Sequence, residues 1–377
     1  MIVTKLSNDI EIKKTLKEIG VDSGGINILT SKAKHHLIHI KDLHVGGANI
    51  LKQDALSIGA DLAVPRGTVL AEIKHVDCLL IASQKQLQIL SKKELSQPFG
   101  LKEVARKLQN ISNIQKPKHV DIMGVINAND DSFFDGSRFK DKKAIEKILQ
   151  MIDDGADIID IGGVSSRPNA PIISAQEELL RIKPILDSIK KEKLYERVRF
   201  SIDSYEPKVI RYALESGFKI VNDITGLQND EVCKLCAEFD ATVVIMHMQG
   251  TPQTMQNDPK YDDILDDVYS FLQTRVKKAE SFGIKDIILD VGIGFGKSLD
   301  DNLMLIKHLE HFLTLQKPLL VGASRKSMID KIYPSEVDER LPGTLILHFE
   351  AIRNGASCIR VHDVKEHKQM ISISKAF

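Results

Sequence analysis

The sequence predicts a (β/α)8 barrel of the TIM-barrel class, preceded by a small N-terminal α/β domain. Short apolar runs alternate with segments of helical periodicity between residues 119 and 377. Several of the helical segments end in a glycine before the next run, as helix C-termini do: Gly155, Gly217, Gly283 and Gly355. An open sheet of parallel strands is the alternative, less favoured because no glycine-rich dinucleotide turn follows the first strand.

The predicted barrel strands are short, mainly apolar runs, as expected of parallel strands that are covered on both faces. They begin near His119, Asp157, Arg197, Ile220, Ala241, Asp286, Pro318 and Cys358. The segments of helical periodicity between them include 140–154, 175–190, 206–216, 261–281, 301–313 and 342–354.

Residues 1–112 carry a separate and smaller pattern of elements. Strands are predicted at INILT, HLIHI and VDCLLIAS, and helices at LSNDIEIKKTLKEI, ANILKQDALSIG and KKELSQPFGLKEVARKLQNI. The polar segment 113–118, which contains Pro117, is the predicted linker to the barrel at 119–377. No chemistry is readable in residues 1–112, so a scaffold or an interface are both open as its role.

Composition indicates a soluble protein of globular type. Of the 377 residues, 42% are hydrophobic and 28% are charged, and the formal net charge is zero. This neutral balance argues against nucleic acid or an anionic membrane surface as the main partner. The N-terminus lacks the apolar core of a signal peptide, and no run approaches the length of a membrane span, so we expect a cytoplasmic location.

Two groups of potential metal ligands are better explained by packing. Cys233 and Cys236 lie in a predicted helix, where their spacing places both on one apolar face, and no second pair completes a zinc site. Four histidines lie close together in the sequence, at 35, 36, 39 and 44, but alternation along HHLIHI places His36 and the apolar residues on different faces, and no acidic or cysteine ligands lie at suitable spacing.

Charged side chains follow two of the predicted strands at the point where each strand ends. One run ends in Ser324-Arg325-Lys326, and another carries Arg360 and His362. Ligands bind at the carboxyl ends of strands in barrels and in open α/β sheets. Two cationic clusters at this edge therefore predict an anionic substrate, such as a phosphorylated one.

Four other strand ends carry amide or carboxylate groups. The Asn127 amide is a suitable oxygen ligand for Mg²⁺, although it could also cap a turn. Asp203, Asn222 and Asp290 together could read the donor and acceptor edge of a pterin or purine. Each of these three could instead cap the following helix, but their coincidence with consecutive strand ends favours a ligand site.

The segment 292–297 is a glycine-rich loop that contains one aromatic residue, Phe295. Because it lacks the spacing of a Walker phosphate loop, we expect it to place the Phe295 ring against a flat substrate. Met246, near the end of the fifth strand, could pack on a substrate ring or simply fill the core.

Eight motifs in the barrel region resemble, in order, those of the dihydropteroate synthase family: VDIMGVIN with DSFFDG, ADIIDIGGVSSRP, RFSIDSYEP, KIVNDITG, VVIMHMQGTPQTMQ, IILDVGIGFGK, LLVGASRKS and CIRVHDVKEH. The resemblance covers residues 119–377 and does not extend to 1–112. It implies a transferase of folate biosynthesis that uses Mg²⁺ and is often a homodimer. Its reaction joins 6-hydroxymethyl-7,8-dihydropterin diphosphate to p-aminobenzoate and releases pyrophosphate.

The resemblance also implies which residues hold the diphosphate. Asn127 would hold Mg²⁺ against it, and Ser166 and Arg167 would lie in a loop that closes over it. Arg360 and His362 would bind it directly and stabilise its departure electrostatically. The carbocation left on the pterin methylene would then be attacked by the neutral arylamine, and no side chain would act as a covalent nucleophile.

The remaining residues would contact the two rings, again by resemblance. Four polar side chains would bind the pterin edge: Asp203, Asn222, Asp290 and Lys326. Met246 would lie beneath the pterin, and Phe295 and Ser327 would form the p-aminobenzoate pocket together with the first two loops.

The first loop departs from the family pattern, because Asn129-Asp130 replaces a Thr-Pro pair and so removes a rigid turn and adds a charge. We expect activity with altered affinity for p-aminobenzoate or sulfonamides. Two other functions compete. A methyltetrahydrofolate-type methyltransferase would not need the cationic clusters, and a non-catalytic pterin-binding paralogue is supported only by the altered loop.

Overall fold

A computed structural model of the protein describes four stretches of the chain: residues 1–7, 10–128, 139–164 and 173–376. The chain divides into two compact units, Met1–Ile114 and Gln115–Phe377. The division falls within the segment 113–118.

The N-terminal unit is a small antiparallel sheet packed against helices. Its strands are β1 (His35–His44), β2 (Asp61–Ala63) and β3 (His75–Ser83), in the order β1-β3-β2. Its helices are α1 (Ile12–Glu18), α2 (Ser23–Ala33), α3 (Val45–Ser57), α4 (Gln84–Lys93) and α5 (Leu101–Ser112). The alternating burial along β3 shows that one face of the sheet covers the core of this unit.

Two predictions for this unit are wrong. INILT was predicted as a strand but lies within α2, because the Asp22 side chain accepts the backbone N–H of Gly24 and so starts a helix there. The helix predicted over KKELSQPFGLKEVARKLQNI is interrupted, because only Lys92 and Lys93 belong to α4, which begins at Gln84, and α5 begins at Leu101. The chain between them turns at Phe99 and Gly100, both of which have a positive φ.

The C-terminal unit is a closed barrel of parallel strands, which confirms the predicted fold class. Its strands are β4 (Asp121–Asn127), β5 (Ile158–Gly162), β6 (Arg199–Asp203), β7 (Ile220–Asp223), β8 (Thr242–Met246), β9 (Ile287–Asp290), β10 (Leu319–Val321) and β11 (Cys358–Val361). Each strand pairs with the next along the chain, and β11 pairs with β4 to close the barrel.

Helices follow the strands around this barrel. They are α6 (Phe139–Asp153), α7 (Ala175–Glu192), α8 (Pro207–Glu215), α9 (Asp230–Glu238), α10 (Ile264–Ser281), α11 (Leu299–Lys307), α12 (Ser327–Ile332), α13 (Leu341–Arg353) and α14 (Val364–Ser374). The four predicted helix-ending glycines have φ values from 86° to 106°, in the left-handed region that favours glycine.

Packing accounts for the paired cysteines of α9. Cys233 and Cys236 are fully buried in the main barrel core, as the helical spacing predicted.

Among the described residues, no helix is both long and apolar enough to cross a membrane.

Candidate active site

The polar strand ends predicted from the sequence meet inside one end of the barrel. Asn127, Gly162, Asp203 and Asn222 are paired in register across β4 to β7, so their side chains point to the same side of the sheet. Apolar residues fill the barrel interior on the amino-terminal side of these groups: Met123, Ile158, Ile220, Val244, Leu320 and Cys358. The polar groups therefore lie on the carboxyl-terminal side of a packed apolar layer.

A buried network joins these strand ends to Arg360 on β11. The Arg360 Nε donates to Oδ2 of Asp160 at 2.6 Å, and its Nη2 donates to Oδ2 of Asp203 at 2.6 Å. The Asn222 Nδ2 donates to the same oxygen of Asp160 at 3.2 Å. One guanidinium thus holds two carboxylates from neighbouring strands.

Asp160 is a member of this network that the sequence-based prediction missed. It is fully buried on β5, two residues before Gly162. The signal was present in the run DIIDIGG, since a carboxylate within a buried strand is costly unless it is partnered.

Burial controls the protonation of the acidic residues in this site. Desolvation raises the pKa of Asp203 to about 7, and nearby Asp160 adds to the rise while Arg360 opposes it. Burial also raises the pKa of Asp290, against the backbone hydrogen bond from Gly292 and the charge of Lys326. Although burial acts against its charge, the Asp160 and Asp203 carboxylates raise the pKa of Arg360 above its ordinary value.

Asp290 and Asp223 have different local roles. Asp290 uses Oδ1 to accept the Gly292 N–H at 2.7 Å, which ties the end of β9 to the glycine-rich loop. Asp223 uses both oxygens on its own loop, where it accepts from Thr225 and from the Leu227 N–H. Of the pair Asn222-Asp223, only Asn222 therefore contacts the buried network.

The glycine-rich loop requires its glycines. Gly292 has φ of 71°, and a Cβ there would lie 1.8 Å from the carbonyl oxygen of His247. The loop is anchored by Lys297, whose buried Nζ contacts the Phe295 carbonyl at 2.9 Å and the His247 Nδ1 at 3.0 Å. Burial lowers the pKa of Lys297 to about 7. The loop is therefore held against the end of β8.

This anchoring places an aromatic ring among sulfur-containing side chains at the barrel mouth. Phe295 packs in a small buried cluster with Met246 and Met255, separate from the main core. The Nζ of Lys326 lies 4.2 Å from the centre of the Phe295 ring, within cation–π range. Residues predicted to bind the pterin and p-aminobenzoate thus touch one another, and Ser327 is exposed at the start of α12.

His362 is paired with Ser324 across the ends of β10 and β11. The Ser324 Oγ accepts the His362 backbone N–H at 3.3 Å and lies 2.8 Å from His362 Nδ1. When the Ser324 hydroxyl donates to Nδ1, the ring proton lies on Nε2. Burial, followed by the charges of Arg360 and Arg325, lowers the pKa of His362 to about 4. The ring is therefore neutral near pH 7.

One cation of the predicted clusters is already neutralised. Arg325 forms a two-point ion pair with Asp363, with its Nε and Nη2 at 3.1 and 2.6 Å from the carboxylate oxygens. This geometry links the loops after β10 and β11. Arg325 thus contributes to holding the loops, and the net positive charge at this edge is smaller than the sequence predicted.

Three other predicted features stand apart from the described site. Ser166 and Arg167 lie outside the described residues, as does the altered pair Asn129-Asp130. A group of possible metal ligands, His119, Asp121 and Asp157, lies at the amino-terminal ends of β4 and β5, at the opposite end of the barrel from Asn127. In that group, Asp121 is already paired with Arg199 at 2.8 Å.

Several known proteins are similar to this chain. The family model for pterin binding enzymes matches residues 123–362. A bifunctional dihydropteroate synthase/dihydropteroate reductase of Helicobacter pylori is 43% identical over 376 residues, covering 100% of this chain and 99% of that protein. This match includes the N-terminal unit, to which the motif resemblance did not extend.

Two solved structures of dihydropteroate synthases match the barrel unit. The enzyme of Clostridium difficile, determined in the presence of pteroic acid, has a TM-score of 0.64 and 36% identity, covering 70% of this chain and 98% of that one. The enzyme of Yersinia pestis, in complex with a sulfonamide drug, has a TM-score of 0.63 and 37% identity, covering 68% and 93%. The chain therefore belongs to the dihydropteroate synthases of the pterin binding enzyme family.

Proposed function

We propose that the barrel condenses 6-hydroxymethyl-7,8-dihydropterin diphosphate with p-aminobenzoate to give 7,8-dihydropteroate and pyrophosphate. The observation that carries this proposal is the buried network of Arg360 with Asp160, Asp203 and Asn222. A flat heterocycle with adjacent N–H groups and acceptors can exchange hydrogen bonds with carboxylates and an amide held in this way. Family membership gives the reaction.

We propose that the pterin binds on the carboxylate side of the site. Asp203 and Asn222 would bind its edge together with Asp290, whose Oδ2 is not used by the Gly292 N–H. Lys326, held over Phe295, would donate to a ring acceptor. Met246 would lie beneath the ring, and Phe295 and Ser327 would border the p-aminobenzoate.

The same guanidinium can connect the pterin and diphosphate subsites. Arg360 has five N–H donors, and its contacts with Asp160 and Asp203 use two of them. A further donor would bind a phosphate oxygen, and the neutral His362 ring would add an N–H from Nε2 in the tautomer whose Nδ1 accepts from Ser324. As the carbon–oxygen bond breaks, its electron pair leaves with the diphosphate, and these donors stabilise the growing charge.

The amine of p-aminobenzoate then forms the new carbon–nitrogen bond with its lone pair, and the proton it loses passes to solvent. We propose no covalent enzyme intermediate, since an arylamine is already nucleophilic. Trapping a pterin–protein adduct during turnover would contradict this step.

The donor set at the end of β4 fits Mg²⁺. Asn127 offers an amide oxygen, and its in-register neighbour Gly162 has no side chain to block it. Mg²⁺ commonly takes one or two protein oxygens and completes its shell with water and substrate phosphates. When bound, it would neutralise charge on the diphosphate, and Asn127 would orient it.

Replacing Asn127 with alanine should therefore raise the Mg²⁺ concentration needed for half-maximal rate by about tenfold. Binding of 6-hydroxymethylpterin, which has no diphosphate, should not change. The matched control is Asn229→Ala, because Asn229 caps α9 through the Glu231 N–H at 2.9 Å and its loss should cost only about 1 kcal/mol of stability. An unchanged Mg²⁺ requirement, with the stability loss of the control, would show that Asn127 only caps a turn.

The proposed reaction is tested by measuring pyrophosphate release and dihydropteroate formation with all substrates and with each one omitted. Release that depends on the pterin diphosphate, p-aminobenzoate and Mg²⁺ is expected. Tight pterin binding without product would instead favour the non-catalytic paralogue. Methyl transfer from methyltetrahydrofolate to a corrinoid acceptor would favour the methyltransferase.

The altered first loop leads to a proposal on inhibitors. Since Asn129-Asp130 replaces the Thr-Pro pair of the family pattern, we propose a changed sulfonamide affinity. The measurement compares inhibition of this protein with that of its Asn129→Thr/Asp130→Pro variant. Equal inhibition of the two would reject the proposal.

A second activity is favoured by the full-length match to the bifunctional Helicobacter pylori protein, which covers residues 1–112 as well as the barrel. We propose that this chain also reduces dihydropteroate, a step that takes two electrons and two protons. The test incubates the full chain with dihydropteroate and either NADPH, NADH or a chemically reduced flavin, and measures tetrahydropteroate by chromatography. No product with any donor would reject this second function.

A further inference from the structure

Two buried histidines connect the loops that follow β10 and β11. His348 on α13 and His367 on α14 are both fully buried. The Nε2 of His348 accepts the Ala323 backbone N–H at 3.0 Å, and its Nδ1 lies 2.8 Å from the Nε2 of His367. The Nδ1 of His367 lies 2.6 Å from the Asp363 carbonyl oxygen. The chain of contacts thus runs from one loop to the other.

The ends of this chain fix the proton positions in both rings. A backbone N–H can only donate, so the Nε2 of His348 carries no proton and its Nδ1 must be the donor to His367. A carbonyl oxygen can only accept, so the Nδ1 of His367 carries its proton. Both rings are therefore neutral, in agreement with burial, which lowers the pKa of His348 and that of His367.

The chain ends next to the groups proposed to bind the diphosphate. Ala323 directly precedes Ser324, and Asp363 directly follows His362. Loss of the Ala323 contact would leave a buried backbone N–H without its acceptor, and the loop would have to move to find another. His362 is in turn bonded to Ser324, so movement of one loop changes the other.

A strained residue in the same loop shows that α13 holds it in place. Arg325 has φ of 56°, which is unusual for a residue with a side chain. Its N–H donates to Thr344 Oγ1 at 2.9 Å, and its carbonyl accepts from Arg340 Nη1 at 3.3 Å. Thr344 and His348 lie one turn apart on α13. The helix therefore fixes two consecutive parts of this loop.

We infer that His348 and His367 are positioning residues that hold the loops after β10 and β11 in one arrangement and thereby set the affinity of the site for the diphosphate group. This inference rests on the proposed synthase function for the identity of the ligand. Neither histidine needs to touch substrate, because they act through Ala323, Ser324 and His362.

Two amide substitutions at one position test the inference. In His348→Gln, the side-chain oxygen can reach the position of Nε2 and accept the Ala323 N–H. In His348→Asn, the shorter side chain reaches only the position of Nδ1 and loses that contact. Both variants replace the ring with an amide, and the two side chains differ by one methylene group. Asn354→Ala is a further control, since it removes a hydrogen bond to the Ile306 carbonyl beyond the other end of α13.

The readouts are the Kd values of pyrophosphate and of 6-hydroxymethylpterin, measured by calorimetry with Mg²⁺. We expect His348→Asn to bind pyrophosphate about tenfold more weakly, the usual cost of losing a group that orients a ligand-binding residue. His348→Gln and Asn354→Ala should stay close to the unsubstituted protein, and pterin affinity should be unchanged in all. Equal losses in the two amide variants, or parallel losses of pterin and pyrophosphate affinity, would overturn the inference.

The same measurements separate this inference from the proposed function. If the unsubstituted protein binds pyrophosphate and the pterin but forms no dihydropteroate, the synthase proposal fails while the positioning role can still be read from the two variants. If dihydropteroate is formed and the two amide variants do not differ, the positioning role fails and the synthase stands.

Discussion

Replacing Arg360 with methionine should lower kcat/KM for the synthase reaction by at least about 1000-fold, which corresponds to about 4 kcal/mol of transition-state stabilisation. Arg360 is the cation that Asp160 and Asp203 share, at 2.6 Å from each. Its loss removes a donor to the diphosphate and also removes the cation that the two carboxylates share. Breaking a buried ion pair in this way costs about 3–5 kcal/mol of stability, so the unfolding midpoint should fall as well.

Arg360→Lys separates charge from geometry in this prediction. A lysine ammonium keeps the charge, but it is a single point that cannot bind two carboxylates in the planar manner of a guanidinium. We expect it to restore most of the stability and little of the activity. The matched control is Arg199→Met, which breaks a half-exposed pair with Asp121 at the other end of the barrel and should change stability by less than about 1 kcal/mol. An Arg360→Met protein that retained a tenth of the activity would contradict the assigned role.

The barrel could be predicted because its strands carry their own signals. A run such as IILDVG is apolar up to the residue where the strand ends, so the polar residue Asp290 marks both the strand end and the site. The helix-ending glycines marked where the predicted helices end. The strands and their polar ends could therefore be read from local sequence alone.

What could not be predicted depends on contacts between distant residues. Asp160 and Arg360 are 200 residues apart and meet only because β11 closes the barrel against β4. The pairing of Arg325 with Asp363 likewise depends on neighbouring loops, so the sequence overestimated the positive charge available to a substrate. The prediction of a strand at INILT was wrong for a local reason, because a helix-capping residue outweighed the strand preference of its isoleucines.

The affinity for the pterin should increase with pH through about 7, because Asp203 must be ionised to accept hydrogen bonds from the ring. Burial raises the pKa of Asp203 to about 7, with Asp160 adding to the rise and Arg360 opposing it. Below this pH, a proton must leave the carboxyl group before the ring binds. The Kd of the pterin should therefore fall about tenfold for each unit by which the pH rises between 5 and 7, and it should level off above pH 8.

The same shift has the opposite effect on folding. Because the pKa of Asp203 is higher in the folded protein than its ordinary value, the folded state binds the proton more tightly than the unfolded chain does. The contribution of Asp203 to stability is therefore greatest below about pH 4 and is lost as the pH rises through 7. Ligand affinity and this part of the stability change in opposite directions with pH, which would be consistent with a carboxylate kept for binding rather than for folding.

Asp203→Asn tests this assignment. The amide cannot ionise, so pterin binding should be weaker at pH 8 and nearly independent of pH between 5.5 and 8, whereas the unsubstituted protein should show the full increase. Any titration of the pterin itself is common to both proteins and cancels in the comparison. The measurement is the Kd of 6-hydroxymethylpterin by calorimetry across this range. If the variant kept the same pH dependence, the titrating group would be another acid of the site, and Asp290, whose pKa burial also raises, would be the next to replace.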